Sequence, residues 1–302
     1  MTITVNCYTS GDKWLNQIEM TQQLYAIDKF DTVIVHMQHE GISLKASGIL
    51  KVIDQWVIDT GRDPATVKID TSNQFEKIPY QYDNPVLKLT HFFTKTGAPY
   101  FCEARPLTLT GKLFGLFMQR YTEDRATIAQ DILDHYQEHC LISIQQNHKL
   151  SNGSRGTWWP EHIYNIGSID DTTIDDHYGP FPTANESLLN FYDQFQIEII
   201  AETVTRGETF FPTEKTARPI IGCRPFLLFG PVGFLDNLKQ TGFKTFSDLW
   251  DENYDQYEGV ERWIRMKLVM DVIVQDGYDC NLAQDIVKYN YQHFYNFLQT
   301  TT

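Results

Sequence analysis

Residues 197–230 (IEIIAETVTRGETFFPTEKTARPIIGCRPFLLFG) gather groups that suit one kind of ligand. An apolar run ends at Glu202, and after a loop containing Gly207 the chain opens a helical turn with Thr213, Glu214 and Lys215, followed by Arg218. A carboxylate can accept hydrogen bonds from both hydroxyls of a ribose, while an ammonium and a guanidinium at a helix start neutralise phosphate. The pattern therefore points to a phosphate-bearing ligand, and a nucleotide fits it best. A blander reading stands beside it. Glu214 and Arg218 are spaced as a surface helix pair, and Glu202 could cap a neighbouring helix.

The elements that must position these groups read as strand, loop, short helix, strand, with the second strand over 225–229 and Gly230 after it. In open α/β sheets ligands bind at the carboxyl ends of such strands. Pro219 complicates the helix, because proline removes a backbone donor and clashes with the turn behind it. Either the helix kinks there or it begins near Ala217, leaving Glu214 and Lys215 in the loop before it.

Upstream, strands are expected at 3–7, 31–37 and 66–70, with helices at 12–28 (Trp14, Ile18, Leu24 and Ile27 on one face) and 45–59, the latter stopped by Gly61. Residues 79–84 read as loop. This βαβ rhythm predicts a parallel sheet. Residues 94–110 read as a linker. A strand from Lys112 to Met118 then leads through Gln119 and Arg120 to a helix started by Thr122, running to about 138, and a strand at 141–145 follows. Residues 148–187 are polar and irregular; Asp170, Asp171, Asp175 and Asp176 fit no calcium loop, and Trp158-Trp159-Pro160 is either a stacking platform or a plug on the sheet. Helices at 185–194 and 231–240, a short strand at 242–246, an acidic aromatic loop at 250–255 and two long helices at about 258–276 and 281–298 complete the chain.

Composition narrows the class. With 302 residues and 42% apolar content the chain can bury one large core or two ordinary ones. A net charge of −14 opposes general attraction to nucleic acid or anionic membranes. No apolar run is long enough to span a bilayer and no signal peptide is visible, so a cytoplasmic protein is expected (host cytoplasm if viral). The five cysteines are scattered, without CxxC pairs, and read as free thiols. There is no P-loop, GxGxxG, GxSxG, HExxH or zinc spacing, and no metal site is expected.

Two separated segments together resemble the donor-binding half of α1,3-fucosyltransferase-like glycosyltransferases of GT-B type. The first is Lys112-Leu-Phe-Gly-Leu-Phe-Met118 followed by Arg125. The second is Ile199-Ile-Ala-Glu202, Thr213-Glu214-Lys215 and Pro225-Phe-Leu-Leu-Phe-Gly230. The chain departs from the family at Thr203 (usually Asn), at Gln119-Arg120 (usually Ser-Asn), and at Arg218 and Pro219. The stretch from Thr213 to Asp255 is also similar to phage and large-algal-virus proteins thought to be glycosyltransferases. The resemblance implies an α/β fold of two Rossmann-like domains with a cleft between them and C-terminal helices. It divides the chain into an acceptor-side domain over 1–108, a nucleotide-sugar domain over 109–280, and a last helix over 281–302 that packs back on the first domain. It implies metal-independent, inverting transfer of a hexose or pentose from a UDP- or GDP-sugar. The acceptor would be a glycan, a small molecule or a hydroxymethylated DNA base. Arg120, Arg125, Glu202, Thr213, Glu214, Lys215 and Arg218 would hold the donor.

Inverting transfer requires a base for the acceptor hydroxyl. The loop after the 31–37 strand offers Glu40, with His39 or His36 as alternatives and Asp70 and Glu103 as reserves. Glu40 has a competing role as a cap for the next helix. Two functions of other classes remain beside the enzyme: a nucleotide- or sugar-binding module without catalysis, and a structural virion protein.

Overall fold

The computed structural model describes residues 1–7, 17–37, 43–71, 73, 78–82, 107, 110–118, 122–144, 163–164, 191–207 and 209–301, with the backbone alone at 163, 164, 214 and 297–301. It is an α/β structure of two compact units, each with its own largely parallel sheet. The first unit is Met1–Lys88 with Arg206–Phe211, and the second is Leu89–Thr205 with Pro212–Thr302.

In the first unit β1 (Thr2–Asn6), β2 (Thr32–Met37), β3 (Val67–Thr71) and β4 (Gln81–Tyr82) lie in chain order, all parallel. β4 falls where a loop was expected. α1 (Gln17–Tyr25) and α2 (Ile49–Thr60) make the first two crossovers. Right-handed crossovers that always step the same way leave their helices on one face of the sheet. The core obeys this: Val5, Val33, Val35, Met37, Val67 and Ile69 meet Met20 and Leu24 of α1 and Ile49, Ile53 and Trp56 of α2. Ile18, expected on the apolar face of α1, is 74% exposed, and Met20 takes its place. Gly61 ends α2 with φ 57°, as its sequence position suggests.

The second sheet has the order β7-β6-β5-β8-β9, from β5 (Lys112–Met118), β6 (Cys140–Ile144), β7 (Ile163–Tyr164), β8 (Phe195–Ala201) and β9 (Phe226–Phe229). All neighbours are parallel except β6 and β7. β7 is a strand inside the stretch expected to be irregular. The chain moves outward from β5 through α3 (Glu123–His135) to β6, and later from β8 through α4 (Glu214–Ile221) to β9 on the other side. The direction reverses between β5 and β8, so the same handedness puts α3 and α4 on opposite faces. Every residue of β6, β8 and β9 is buried, as a sheet covered on both sides requires.

α5 (Phe234–Gln240), α6 (Gly259–Asp276) and α7 (Cys280–Thr301) complete the second unit. α6 packs on α3 and α7 on α4, so the C-terminal helix belongs to the second unit. Trp263 of α6 donates its indole N–H to Asp131 of α3, and Lys267 pairs with the same carboxylate at 2.8 Å. The strand expected at 242–246 does not form. Asn290 of α7 instead accepts from the Lys244 amide and donates to its carbonyl, both at 2.8 Å, in place of a neighbouring strand. Similarly, the expected helix at 185–194 is, where described, a 3-10 turn over Tyr192–Gln194. Cys7, Cys140, Cys223 and Cys280 are free thiols.

Candidate functional site

The reversal between β5 and β8 is the topological switch point of the second sheet, where ligands bind in open α/β folds. Two helix starts meet there. Thr122 caps α3, its hydroxyl accepting from the Arg125 amide at 3.2 Å. Thr213 caps α4, its hydroxyl accepting from the Lys215 amide at 3.3 Å. The helix over Glu214–Ile221 is continuous through Pro219. Glu214 and Lys215 therefore lie in its first turn, not in a loop before a helix starting near Ala217.

The charged groups expected to hold a ligand divide into those held by the protein itself and those at the rim. Arg125 is buried, and its guanidinium donates to the carbonyls of Ala201 and Glu202, both at 2.9 Å. It straps the start of α3 to the end of β8. Glu202 is 1% exposed. Its carboxylate accepts from the Thr213 hydroxyl at 2.6 Å, the Thr213 amide at 3.2 Å, the Thr203 amide at 3.1 Å and the Thr216 hydroxyl. The capping reading of Glu202 is the one its contacts support. Its negative charge also stands where the N-terminus of α4 favours an anion.

Arg218 turns inward. Its guanidinium pairs with Glu198 of β8, which is fully buried, and its Nε donates to the Tyr192 hydroxyl at 2.9 Å while its plane lies over the Phe117 ring. Tyr192 in turn donates to Glu198. Burial raises the Glu198 carboxyl above the usual range, with Arg218 pulling the other way. Burial also works against the Arg218 charge, but Glu198 more than offsets it and holds the guanidinium protonated. Arg218, expected to hold a ligand, here has interior partners that would otherwise be left uncompensated.

Lys215, Thr203 and Thr205 form the half-buried rim, with Thr213 buried beneath them. The half-buried Lys215 ammonium donates to the Thr203 hydroxyl at 3.1 Å, with Thr213 Oγ1 at 3.5 Å. Thr205 donates to Asp124 in the first turn of α3 at 2.7 Å, so the segment after β8 is fixed to both helix starts. The result is a corner where the Lys215 ammonium and the Thr203 hydroxyl stand half-buried at the start of α4, beside the Glu202 carboxylate that takes the Thr213 hydroxyl and amide.

Of the first-unit candidates, Glu40 and His39 lie outside the described residues, as do Arg120, Glu103, the 158–160 tryptophan pair and the aspartates of 170–176. His36 is described. It stands one residue before the end of β2, in register with Asn6 of β1 and Asp70 of β3. Its Nδ1 is 2.6 Å from Asp70 Oδ2. Asp70 was a reserve in the sequence reading, and its pairing with His36 was missed. The available signal was position: each residue closes the polar register of a strand in consecutive βαβ units.

Among the described residues no group of three His, Cys, Asp or Glu could hold a metal ion, and no helix is long and apolar enough to cross a membrane. Comparison with protein families, curated proteins and solved structures finds no match to this chain.

Proposed function

We propose that the chain is a glycosyltransferase of GT-B type that moves a sugar from a UDP- or GDP-sugar to a hydroxyl acceptor. In this reading the second unit holds the donor. The observation that carries it is the coincidence of the switch point of the second sheet with the Lys215–Thr203–Thr213 corner at the start of α4. A departing diphosphate needs stabilisation of developing negative charge, and this corner offers the Lys215 ammonium and the Thr203 hydroxyl. The order and spacing of Lys112, Arg125, Glu202 and Thr213-Glu214-Lys215 add the likeness to fucosyltransferases. The roles within the motif are revised: Lys215 meets the diphosphate, while Arg125, Glu202, Thr213 and Arg218 build the corner. The acceptor (a glycan, a small molecule or a hydroxymethylated DNA base) and a cytoplasmic setting are part of the same proposal.

One observation favours the runner-up, a nucleotide-binding module without catalysis. Three of the expected ligand-binding charges are engaged by protein groups, which leaves fewer groups to act on a transition state.

A thermal-shift screen with UDP, GDP, CMP and their sugars tests the reading. A nucleotide at 100 times its Kd adds about 2.7 kcal/mol of stability. A shift that Lys215→Ala abolishes supports it, and no shift with any nucleotide contradicts it. Release of nucleoside diphosphate on adding acceptor separates the enzyme from the module.

A further inference from the structure

We infer that the outer face of α6 is a docking surface for a cationic amphipathic helix of another protein. The inference is independent of the glycosyl-transfer reading and lies within the second unit alone.

α6 is apolar on two sides. Its inner side buries Trp263, Met266, Val269, Met270 and Ile273. Its outer side carries Val260, Ile264, Leu268 and Val272, which are 58%, 45%, 61% and 53% exposed. Residues four apart on a helix lie one above the other, so these four form a row about 18 Å long. Apolar residues exposed singly are ordinary, but a contiguous row marks an interaction site. Beside the C-terminal half of the row lies a groove of about 250 Å³, between α6 and residues 250–254. Its walls include the buried Trp250, Tyr254 and Val269 and the exposed Leu268 and Val272, with Asp251 and Asn253 on the side away from α6. A row of apolar residues that leads into such a groove is the form in which an amphipathic helix is taken up by anchors spaced four residues apart.

Charge decides among the occupants. Along α6 and the groove stand the acids Asp251, Glu258, Glu261, Asp271 and Asp276, against the cations Arg265 and Lys267. Both cations are already paired, Arg265 with Glu261 at 2.9 Å and Lys267 with Asp131 at 2.8 Å. The surroundings of the row are therefore acidic on balance. A second copy of this chain laid along the row brings like charges together in either direction. Antiparallel about the midpoint, Glu261 falls level with Asp271 and Arg265 with Lys267; parallel, each charge meets itself. An anionic lipid surface is opposed by the same acids. A helix with lysines or arginines beside its apolar row complements both the apolar face and the acidic rim.

The test uses the full chain and two designed peptides of about five helical turns, one of leucine and lysine and one of leucine and glutamate, each patterned as an amphipathic helix. Anisotropy of the labelled peptide reads binding, and sedimentation equilibrium of the chain reads self-association. At low salt the lysine peptide is expected to bind on the order of ten-fold tighter than the glutamate peptide, or more. Leu268→Ser combined with Val272→Ser should weaken it by about ten-fold or more, because two apolar contacts are lost. Asp251→Asn combined with Asp276→Asn should weaken it less and flatten its dependence on salt. All four positions are exposed, and unchanged thermal unfolding of each variant confirms that the fold is kept. No binding of the lysine peptide, equal binding of the two peptides, or undiminished binding by the Leu268→Ser, Val272→Ser variant overturns the inference. A dimer that this variant dissociates assigns the row to a second copy instead and overturns it as well.

Discussion

The two units use the same βαβ grammar and differ in one topological choice. In the first, strands β1 to β4 step in one direction, so α1 and α2 share a face and the opposite face carries Asn6, His36, Lys68 and Asp70. In the second, the order reverses between β5 and β8, helices lie on both faces, and β8 is buried along its whole length. A charged group in the two kinds of sheet meets opposite fates. Glu198, in a doubly covered strand, must be compensated by Arg218 and Tyr192. His36, on the face away from α1 and α2, stays half-exposed beside Asp70. The conspicuous charges of the second unit are therefore mostly held by interior partners, whereas the His36–Asp70 pair of the first stays half-exposed.

The sharpest way to break this contrast is to remove one member of each pair. Arg218→Met leaves Glu198 charged or forces it to bind a proton in the interior, and should cost about 3–5 kcal/mol. Asp70→Asn, half exposed, should cost about 1 kcal/mol or less. Urea unfolding followed by hydrogen exchange, which reports each unit separately, checks both. Equal costs would erase the distinction. Glu202→Ala should come next, at roughly 3 kcal/mol, because two threonine hydroxyls and two amides lose a buried acceptor. Glu202→Gln should cost less, and both should act on the unfolding of the second unit only.

Glycines give a finer comparison. An added Cβ at Gly222 would stand 2.1 Å from the Tyr192 ring, which Glu198 and Arg218 hold in place. Gly222→Ala should therefore cost about 1–3 kcal/mol by overpacking. At Gly61 nothing lies within 4 Å and only φ 57° opposes a side chain, so Gly61→Ala should cost about 1 kcal/mol. Equilibrium denaturation of the two variants, with the midpoint of each unit followed separately, tests the ranking.

The smallest effect is on the alkaline side. Burial raises the pKa of Tyr136, Tyr192 and Tyr254 in the second unit, and of Tyr80 in the first. A phenol with a raised folded pKa contributes stability that is whole below the unfolded pKa and is lost as pH rises past it. At pH 10 each should remove about 0.4 kcal/mol, and more above, from the unit that holds it. The second unit should thus lose stability faster than the first between pH 9 and 10.5 in a denaturation series. Tyr136→Phe should flatten its slope.

The α/β alternation was legible because strands such as TVIVHM and FLLF are short apolar runs between helical patterns, and because Thr122, Thr213 and Gly61 are strong boundary signals. β4 was not, since Gln81 and Tyr82 form a strand only by pairing with β3. The strand expected at 242–246 failed for the converse reason: Asn290, distant in sequence, satisfies its backbone. The cluster around Thr213 was legible as a place. The role of each charge was not, because Arg218 has a helix-start spacing that suits either direction, and the partner that decides it, Glu198, is an ordinary strand residue in sequence. His36 and Asp70 were both in view, but which strands are neighbours is a tertiary fact.

The central claim is that the corner at the start of α4 receives a nucleotide. Hydrogen exchange with and without saturating UDP or GDP tests it most directly. Slowed exchange is expected for the amides of residues 202–205 and 213–216 and for the first turn of α3, and Lys215→Ala should remove it. Unchanged exchange there, or protection of equal size in Lys215→Ala, would contradict the account.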